Sequence, residues 1–549
     1  MMSKTNWTPS QQNAIDARGM QILVSAAAGS GKTAVLTERV KNIVTDTENP
    51  CDVSDILVVT FTRAAAREMK ERIHKALKES YVKEHSDHIR DQISLLPLAD
   101  ICTIDSFCSK IVKDNFNKAN VSVDFTLLDE KELSEMTSEA ISRVIDLLYE
   151  ENSEAFISLT SMFLSERDDV KLAEVIGELY KYSRSYPSPE IWLDSIADSF
   201  SPDKTPNETI WADIIYKDVG LLTDFHAKRL ARTIALLEES GGFNPVFIER
   251  FTASRDKLLQ LKKMVDDKNW NGMVNYIRDG LVVAPKAVNS KVDNYVKGIA
   301  NDAFSAFKQD AEVLAGLDLP LEDEHRKDCA ILRPMIEKLC QAVKMLGKEL
   351  DSMKIERNAY SFDDILHKCI DLLVSFSGDT WTRTPIAENL QSKYKEIFID
   401  EYQDTNHAQN IIFEALSRDC ENLYCVGDVK QSIYKFRLAS PELFMKLRRN
   451  LPEYNGNKQA SQITLDRNFR SREGITQVTN HIFESVMSDA VGEIDYNEKE
   501  RLVYGADYSK KDTPDVELLC LDYSEFNSAE ATELEAEQIA EYIKKHTDI

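Results

Sequence analysis

The stretch QILVSAAAGSGKT, residues 21 to 33, decides the fold. An apolar run passes into small residues and glycines, and a helical pattern begins near Lys32. This order of strand, loop and helix predicts a phosphate-binding loop, in which backbone N–H groups and a helix N-terminus surround phosphate oxygens. We expect Lys32 to neutralise the β- and γ-phosphates of a bound nucleotide and the Thr33 hydroxyl to bind Mg²⁺.

Ala26 stands where such loops usually begin with glycine. An alanine fits this position only if its φ angle is negative. The alternative interpretation is a glycine-rich turn that binds no ligand. The candidate nucleotide contacts of this loop are Ala26, Ala27, Ala28, Gly29, Ser30, Gly31, Lys32 and Thr33.

A second apolar strand pattern, EIFI, is followed at once by Asp400 and Glu401. Ligands of parallel α/β sheets bind at the carboxyl ends of the strands, so these acids are expected at such an edge. Asp400 is predicted to hold Mg²⁺ through its water shell, and Glu401 to act as general base toward the attacking water. The alternative is a strand end that carries solvated acids.

The rest of the chain predicts an α/β fold with a large helical region. DILVVTFT is a short strand followed by the helix AAAREMKERIHKAL, and this alternation favours a parallel sheet. From about 110 to 355 long helical patterns dominate. After residue 472 we expect a helix at TQVTNHIFESVM, a strand at VELLCLDY and an acidic helix at ATELEAEQIAEYIKKH.

Composition limits the function classes. The net charge is −26, which argues against nucleic-acid binding over the whole surface. A binding groove is local, however, and Lys430 to Arg472 holds ten Lys or Arg against three acids, a net +7. The nine cysteines include no C-x-x-C pair, which argues against a zinc or iron–sulfur site. No apolar run is long enough to span a bilayer, so we expect a cytoplasmic protein without membrane contact.

Seven segments resemble, in order, the motifs of superfamily 1 helicases of the UvrD/Rep type. They are WTPSQQNAI, SAAAGSGKT, VVTFTRAAAREM, TIDSFC, FIDEYQDTN, VGDVKQSIYKFR and LDRNFRS, across residues 7 to 472. The segments VGDVKQSIYKFRLASPELF, TIDSFC and YSFDDIL resemble the family of A subunits (AddA or RexA) of bacterial AddAB helicase–nucleases more than they resemble UvrD. The long insertion between Thr33 and Asp400 is also typical of that family.

The resemblance implies a RecA-like P-loop NTPase lobe with a large inserted all-helical domain and the start of a second α/β lobe. The expected domains are 1–115 with 360–470 for the ATP-binding lobe, 116–359 for the insertion and 471–549 for the second lobe. The later motifs and the family's nuclease domain are not recognisable in this sequence. The chain is therefore expected to be a truncated piece with little activity of its own.

The resemblance also implies roles for single residues. Gln11 would read the edge of adenine, Phe469 would lie near the adenine, and Gln431 would sense the γ-phosphate. Arg470 would stabilise charge on the transferring phosphoryl group. The expected DNA contacts are Phe61, Tyr434 and Phe436 against bases, and Lys435 and Arg437 against phosphates. The alternative places these aromatic side chains in the core. Asp105 stands where many relatives carry His.

The implied function is that of an ATP- and Mg²⁺-dependent DNA helicase that moves 3′→5′. It would belong to a helicase–nuclease that repairs double-strand breaks by homologous recombination. The implied partners are single- and double-stranded DNA ends and a second protein of the AddB (RexB) type. One alternative is a nucleotide-gated DNA-binding or assembly module without motor activity. Another is a P-loop kinase for small molecules, which would turn over ATP without responding to DNA.

Overall fold

The computed structural model describes residues 7–163, 169–283, 294–378, 380–489, 494–509, 511–523 and 526–547. The chain divides into two compact units. Unit 1 contains Met1–Ser25 and Thr33–Ile463, and unit 2 contains Ala26–Lys32 and Thr464–Ile549. Among the described residues, no helix is both long and apolar enough to cross a membrane.

The core of unit 1 is a mainly parallel sheet with the strand order β10-β1-β9-β8-β2-β3. Its strands are β1 (Ile22–Ala26), β2 (Ile56–Thr60), β3 (Asp100–Thr103), β8 (Glu396–Ile399), β9 (Leu423–Gly427) and β10 (Ser461–Leu465). β1, β2 and β9 are buried along their whole length. Continuous Val, Ile and Leu runs of this kind form strands that are covered on both faces. The predicted α/β class with a parallel sheet is confirmed.

The strand register decides which residues leave the sheet together. β9 pairs in parallel with β1, with Ser25 opposite Gly427, and with β8, with Ile399 opposite Cys425. The carboxyl ends of β1, β9 and β8 therefore lie at one edge of the sheet. Neighbouring strands are about 4.8 Å apart, so the ends of β1 and β8 are separated by about 10 Å.

Helices alternate with the strands of this sheet along the chain. They are α1 (Pro9–Asp16), α2 (Lys32–Val44), α3 (Arg63–Glu84), α4 (Asp87–Leu95), α5 (Ile104–Asp114), α6 (Phe116–Ala119), α16 (Phe362–Leu373), α17 (Pro385–Lys393), α18 (His407–Leu416) and α19 (Pro441–Asn450). Two short strand pairs flank them: β4 (Thr126–Leu127) with β5 (Ala359–Tyr360), and β6 (Val374–Ser377) with β7 (Thr380–Arg383).

A long helical segment fills the sequence between β4 and β5. Its helices are α7 (Glu130–Glu151), α8 (Glu154–Phe163), α9 (Val170–Ser183), α10 (Pro189–Ser199), α11 (Ile210–Ser240), α12 (Pro245–Asp266), α13 (Trp270–Arg278), α14 (Asn294–Gly316) and α15 (Glu322–Arg357). Met136, Ala140, Val144 and Leu148 are spaced four apart on α7 and join one buried cluster with α15. A second cluster joins α11 to α14. The domain boundaries expected from the sequence stay a proposal.

Contacts of Arg184 connect the helical segment to α16. The imidazole of His367 on α16 donates from Nε2 to the carbonyl oxygen of Arg184, 2.9 Å away, just after α9. Burial lowers the pKa of His367 to about 3, so this ring is neutral at physiological pH. The Arg184 side chain also pairs with Asp364 of α16.

Unit 2 contains the phosphate loop and the end of the chain. Its elements are β11 (Arg467–Asn468) paired in parallel with β12 (Val503–Tyr504), α20 (Glu473–Val486) and α21 (Ser528–His546). The two helices predicted there are confirmed. The strand predicted at VELLCLDY is wrong, because the structure gives residues 516–523 no regular element. Leu518 is 86% exposed, so the alternating apolar pattern there covers no core.

Candidate nucleotide and nucleic-acid site

The phosphate loop runs from the end of β1 to the start of α2. Gly29 has a φ of +71° and Gly31 a φ of +84°, values that L-residues adopt only with strain. Ala26 is the last residue of β1 and does not have a positive φ, so the alanine costs the loop nothing. The loop backbone turns so that the N-terminus of α2 follows directly after Gly31.

Within unit 2 the loop is held by the segment that contains the LDRNFRS motif. Asn468 donates from Nδ2 to the Ala28 carbonyl at 2.9 Å, and the Phe469 N–H donates to the Gly29 carbonyl at 2.9 Å. A Cβ atom on Gly29 would come within 2.9 Å of the Arg470 Cβ and of the Asn468 side chain. The structure therefore brings Phe469 and Arg470 to the phosphate loop.

Asn468 organises this contact, although the sequence had assigned it no role. Its Oδ1 accepts the backbone N–H groups of Arg470 at 2.8 Å and of Ser471 at 2.7 Å, while its Nδ2 holds the loop. The residue is 3% exposed. The sequence contained one indication of this role, because Asn468 lies inside the LDRNFRS motif. Asparagine side chains next to tight turns commonly form hydrogen bonds with the backbone.

The two carboxylates follow β8 in unit 1. The Asp400 N–H donates to the Val59 carbonyl at 2.9 Å and continues the ladder between β8 and β2. Glu401 then takes a left-handed conformation, with φ +55° and ψ +44°. For a residue other than glycine this costs about 1 kcal/mol or more, and strain of this kind collects at functional sites. Asp400 Oδ1 accepts the Glu401 N–H at 3.2 Å, whereas Glu401 Oε2 accepts from Gln403 Nε2 at 2.9 Å.

Gln431 lies on the neighbouring segment, just after β9. Its Nε2 donates to Asp428 Oδ2 at 2.8 Å, and the Lys430 ammonium pairs with Asp428 Oδ1 at 2.9 Å. Asp428 is 1% exposed and takes part in both contacts. Lys430 is therefore bound inside the protein by an acid that lies just outside the basic stretch.

Gln403 joins the carboxylates to this segment. Its Nε2 donates to Glu401 Oε2 at 2.9 Å, and its Oε1 accepts the Asp428 N–H at 3.0 Å. The structure thus brings Glu401 and Gln431 into one hydrogen-bonded network through Gln403 and Asp428. The sequence had given neither linking residue a role.

Gln11 lies on α1 in unit 1 and is 5% exposed. Its side-chain oxygen accepts the Thr8 N–H at 2.9 Å, and the Thr8 hydroxyl accepts the Gln11 N–H at 3.2 Å. This reciprocal pair is a capping box, which fixes the start of the helix and the direction of the glutamine. Its contact with adenine stays a prediction.

The predicted DNA-contacting aromatic residues form one row in unit 1. The rings of Phe61 and Tyr434 have centroids 4.7 Å apart, and those of Tyr434 and Phe436 are 5.7 Å apart. The Arg437 guanidinium lies 5.3 Å from the Tyr434 ring. Phe436 is 67% exposed, and Lys435 beside it is exposed as well. The structure contradicts a core position for Phe436, whereas Phe61 and Tyr434 are half-buried.

Asp105 begins α5 and lies near a second acid. Burial raises the pKa of its carboxyl, the nearby Asp363 raises it further, and Arg63 opposes both effects. The contribution of Asp105 to DNA contact stays open.

The phosphate loop in unit 2 and the sheet edge in unit 1 each contain groups that suit a magnesium–nucleotide. A loop with two positive-φ glycines ahead of a 13-residue helix offers N–H groups to phosphate oxygens. Hydroxyl and carboxylate oxygens, which Thr33 and Asp400 supply, are the ligands that Mg²⁺ prefers. Lys32 would add a positive charge and Glu401 a base, so the set contains the groups that phosphoryl transfer to water requires.

These features define a P-loop nucleotide-binding protein, and comparison of sequences places it in a family. The profile of the UvrD/REP helicase N-terminal domain matches residues 7–452. The match covers most of the chain, and the chain belongs to this helicase family.

The chain is also similar to proteins that are named as the A subunits of ATP-dependent helicase/nucleases. It is 35% identical to the one from Ruminiclostridium cellulolyticum over 92% of this chain and 41% of that protein. It is 33% identical to those from Clostridium botulinum and Bacillus cereus, over 98% and 99% of this chain and 45% of each relative. The chain thus spans less than half the length of these relatives.

Replacing Gly29 by alanine tests the loop geometry. We expect Gly29→Ala to weaken binding of a fluorescent ATP analogue by about tenfold or more, because the new Cβ displaces Asn468 and Arg470. The matched control is Gly19→Ala, since Gly19 has a φ of +70° but no atom within 4 Å of a new Cβ. Both variants should lose thermal stability because both glycines have a positive φ, and Gly29→Ala should lose more because its Cβ also displaces Asn468 and Arg470. Equal nucleotide affinity in the two variants would contradict this assignment.

Proposed function

We propose that this chain is the ATP-binding part of a DNA motor that moves 3′→5′ along single-stranded DNA. The motor would serve a helicase–nuclease that processes broken DNA ends during double-strand break repair and homologous recombination. The observation that carries the proposal is the common sheet edge, where β1, β9 and β8 end side by side. The segments that leave this edge contain the loop, the γ-phosphate sensor and the two carboxylates of the helicase motifs.

The proposed chemistry is hydrolysis of the terminal phosphate of ATP. ATP with Mg²⁺ supplies the phosphoryl group whose transfer to water releases the free energy for movement. Lys32 and the loop N–H groups bind the phosphates, and Thr33 and Asp400 hold the metal. Glu401 accepts a proton from water, and Arg470 offers its guanidinium to the developing negative charge.

The proposed DNA track is the aromatic row with its basic neighbours. Stacking on Phe61, Tyr434 and Phe436 tolerates any base sequence, as a translocating motor requires. Lys435 and Arg437 meet phosphates in the same place. Tyr434, Phe436 and Gln431 lie on one short segment after β9, so a change at the nucleotide can reach these DNA contacts along the backbone.

The proposed assembly follows the names of the relatives. They are named as subunits of a helicase/nuclease, so this chain would act with a second protein of the AddB type. The proposed layout is the predicted one, with a RecA-like lobe from 1–115 and 360–470, a helical insertion at 116–359 and a second lobe beginning at 471.

A second candidate function is a nucleotide-gated DNA-binding or assembly module without motor activity. The net charge of −26 favours it, because repulsion from DNA phosphates disfavours a long contact along the strand. This candidate binds ATP and DNA but turns over ATP no faster when DNA is added.

Removing the loop lysine separates the two candidates. In the gene product that contains this chain, Lys32→Ala should abolish ATP hydrolysis stimulated by single-stranded DNA, because the phosphates lose their main cation. Lys41→Ala on the same helix is the control, since Lys41 pairs with Glu38 on the surface. Steady-state phosphate release with and without oligonucleotide is the measurement. Unchanged turnover in Lys32→Ala would disprove the site, and the absence of DNA stimulation in the wild type would favour the second candidate.

The exposed ring of Phe436 tests the DNA track. We expect Phe436→Ala to weaken binding of single-stranded DNA by about tenfold or more, because stacking of one base on an aromatic ring is worth about 1–3 kcal/mol. The control is Phe225→Ala, because Phe225 is 57% exposed and also lies beside an arginine, Arg229. Fluorescence anisotropy of a labelled oligonucleotide gives both affinities. Equal affinities for the two variants would remove Phe436 from the track.

A further inference from the structure

Gln403 occupies a buried position between the two halves of the hydrogen-bonded network. It lies in the single turn Tyr402–Asp404 that follows Glu401, and it is 1% exposed. Its Nε2 donates to Glu401 Oε2 at 2.9 Å and to Asp404 Oδ2 at 3.2 Å. Its Oε1 accepts the Asp428 N–H at 3.0 Å. Each end of this amide therefore contacts a different strand end of the sheet.

The chemistry of its partners fixes the orientation of this amide. A backbone N–H only donates, so the Asp428 N–H must meet the amide oxygen of Gln403. The carboxylates of Glu401 and Asp404 only accept, so they must meet the amide nitrogen. A flipped amide would place oxygen against both carboxylates and would leave a buried N–H without an acceptor, which costs about 1–3 kcal/mol. The direction of the network thus follows from its atoms.

The backbone at the end of β9 is shaped around this side chain. A Cβ on Gly427 would come within 2.3 Å of Gln403 Oε1, and within 3.0 Å of the Phe444 ring. Only glycine permits the approach that lets the next residue, Asp428, reach the amide with its N–H. The hydrogen bond from the Asp428 N–H to Gln403 Oε1 therefore depends on the close approach of Gly427 to the Gln403 side chain.

The network continues to the residue that faces the γ-phosphate in the proposed function. Asp428 Oδ2 accepts from Gln431 Nε2 at 2.8 Å, and the Gln431 N–H donates to the Asp428 carbonyl at 2.8 Å. The connection from Glu401 to Gln431 thus passes through Gln403 and Asp428 with every hydrogen bond at 3.0 Å or less.

Glu401 needs such support because its backbone is strained. Its left-handed φ of +55° persists only if the surroundings hold it, at a cost of about 1–3 kcal/mol. The Gln403 side chain donates to the Glu401 carboxylate and is held in place by the Asp428 N–H at the end of β9. A carboxylate held at both backbone and side chain keeps one direction toward an attacking water.

We propose that Gln403 is a positioning residue that orients the Glu401 carboxylate and couples it to Gln431 through Asp428. The proposal rests on the proposed function and assigns this side chain a part in it. When the γ-phosphate leaves, the contacts of Gln431 change, and the network transmits this change to Glu401. The Glu401 carboxylate is therefore aligned while Gln431 contacts the γ-phosphate. Hydrolysis is thereby limited to the state in which the terminal phosphate is in place.

The test is Gln403→Glu, which keeps the shape and the acceptor toward Asp428 but removes both N–H donors. We expect kcat for DNA-stimulated ATP hydrolysis to fall about tenfold or more, since a general base contributes about 10²–10⁴ in rate. KM for ATP should stay within about twofold, because Gln403 touches the carboxylate and not the phosphates. Gln403→Met, a neutral variant of similar size, should show the same split if Gln403→Glu folds poorly.

The control is Gln409→Glu on α18, where the introduced carboxylate keeps the acceptor that caps the Asn406 N–H. It should leave kcat unchanged. In the double variant, the decreases in kcat from Gln403→Glu and Gln431→Ala should not multiply, because both substitutions interrupt the same hydrogen-bonded network between Glu401 and Gln431. Wild-type kcat in Gln403→Glu, or fully independent losses in the double variant, would overturn the proposal. An inactive wild type would instead refute the proposed function, which separates the two failures.

Discussion

The parallel pairing of β9 with β1 on one side and β8 on the other is the constraint on which the rest of the structure depends. It sets the ends of three strands at one edge although they come from residues near 25, 399 and 427. Parallel strands need long crossover connections. β3 and β8 lie on either side of β2, and the chain between them contains the helical segment. The long helical segment therefore lies in a connection between strands and does not interrupt the pairing of β1, β9 and β8.

The sequence predicted the elements better than it predicted the contacts between them. The strand that ends at Ala26 and the strand that precedes Asp400 are mostly buried apolar runs, and such runs can be recognised without a structure. The strand predicted at residues 516–523 was wrong because an apolar run alone does not determine whether a neighbouring strand exists. The roles of Asn468, Gln403 and Asp428 could not be predicted. Asn468 contacts the Ala28 carbonyl 440 residues away, and Gln403 contacts Asp428 across 25 residues, so neither contact is visible in the local sequence.

The strained conformation of Glu401 was equally invisible in the sequence. Left-handed φ angles are common for Gly and Asn, and a glutamate carries no such signal. The structure explains the conformation by the bonds on both sides of the residue, from its N–H to Asp400 and from Gln403 to its carboxylate. The basic stretch was predictable as a local excess of charge, but the burial of Lys430 against Asp428 reduces what is available to DNA.

The central claim is that the phosphate loop and the carboxylates after β8 bind one nucleotide. The most direct measurement is a crystal structure of the protein with Mg²⁺ and a non-hydrolysable ATP analogue. The account predicts the Lys32 ammonium on oxygens of the β- and γ-phosphates and Asp400 on a water ligand of the metal that also binds Thr33. A nucleotide bound elsewhere, or a metal that contacts neither Thr33 nor Asp400, would contradict it.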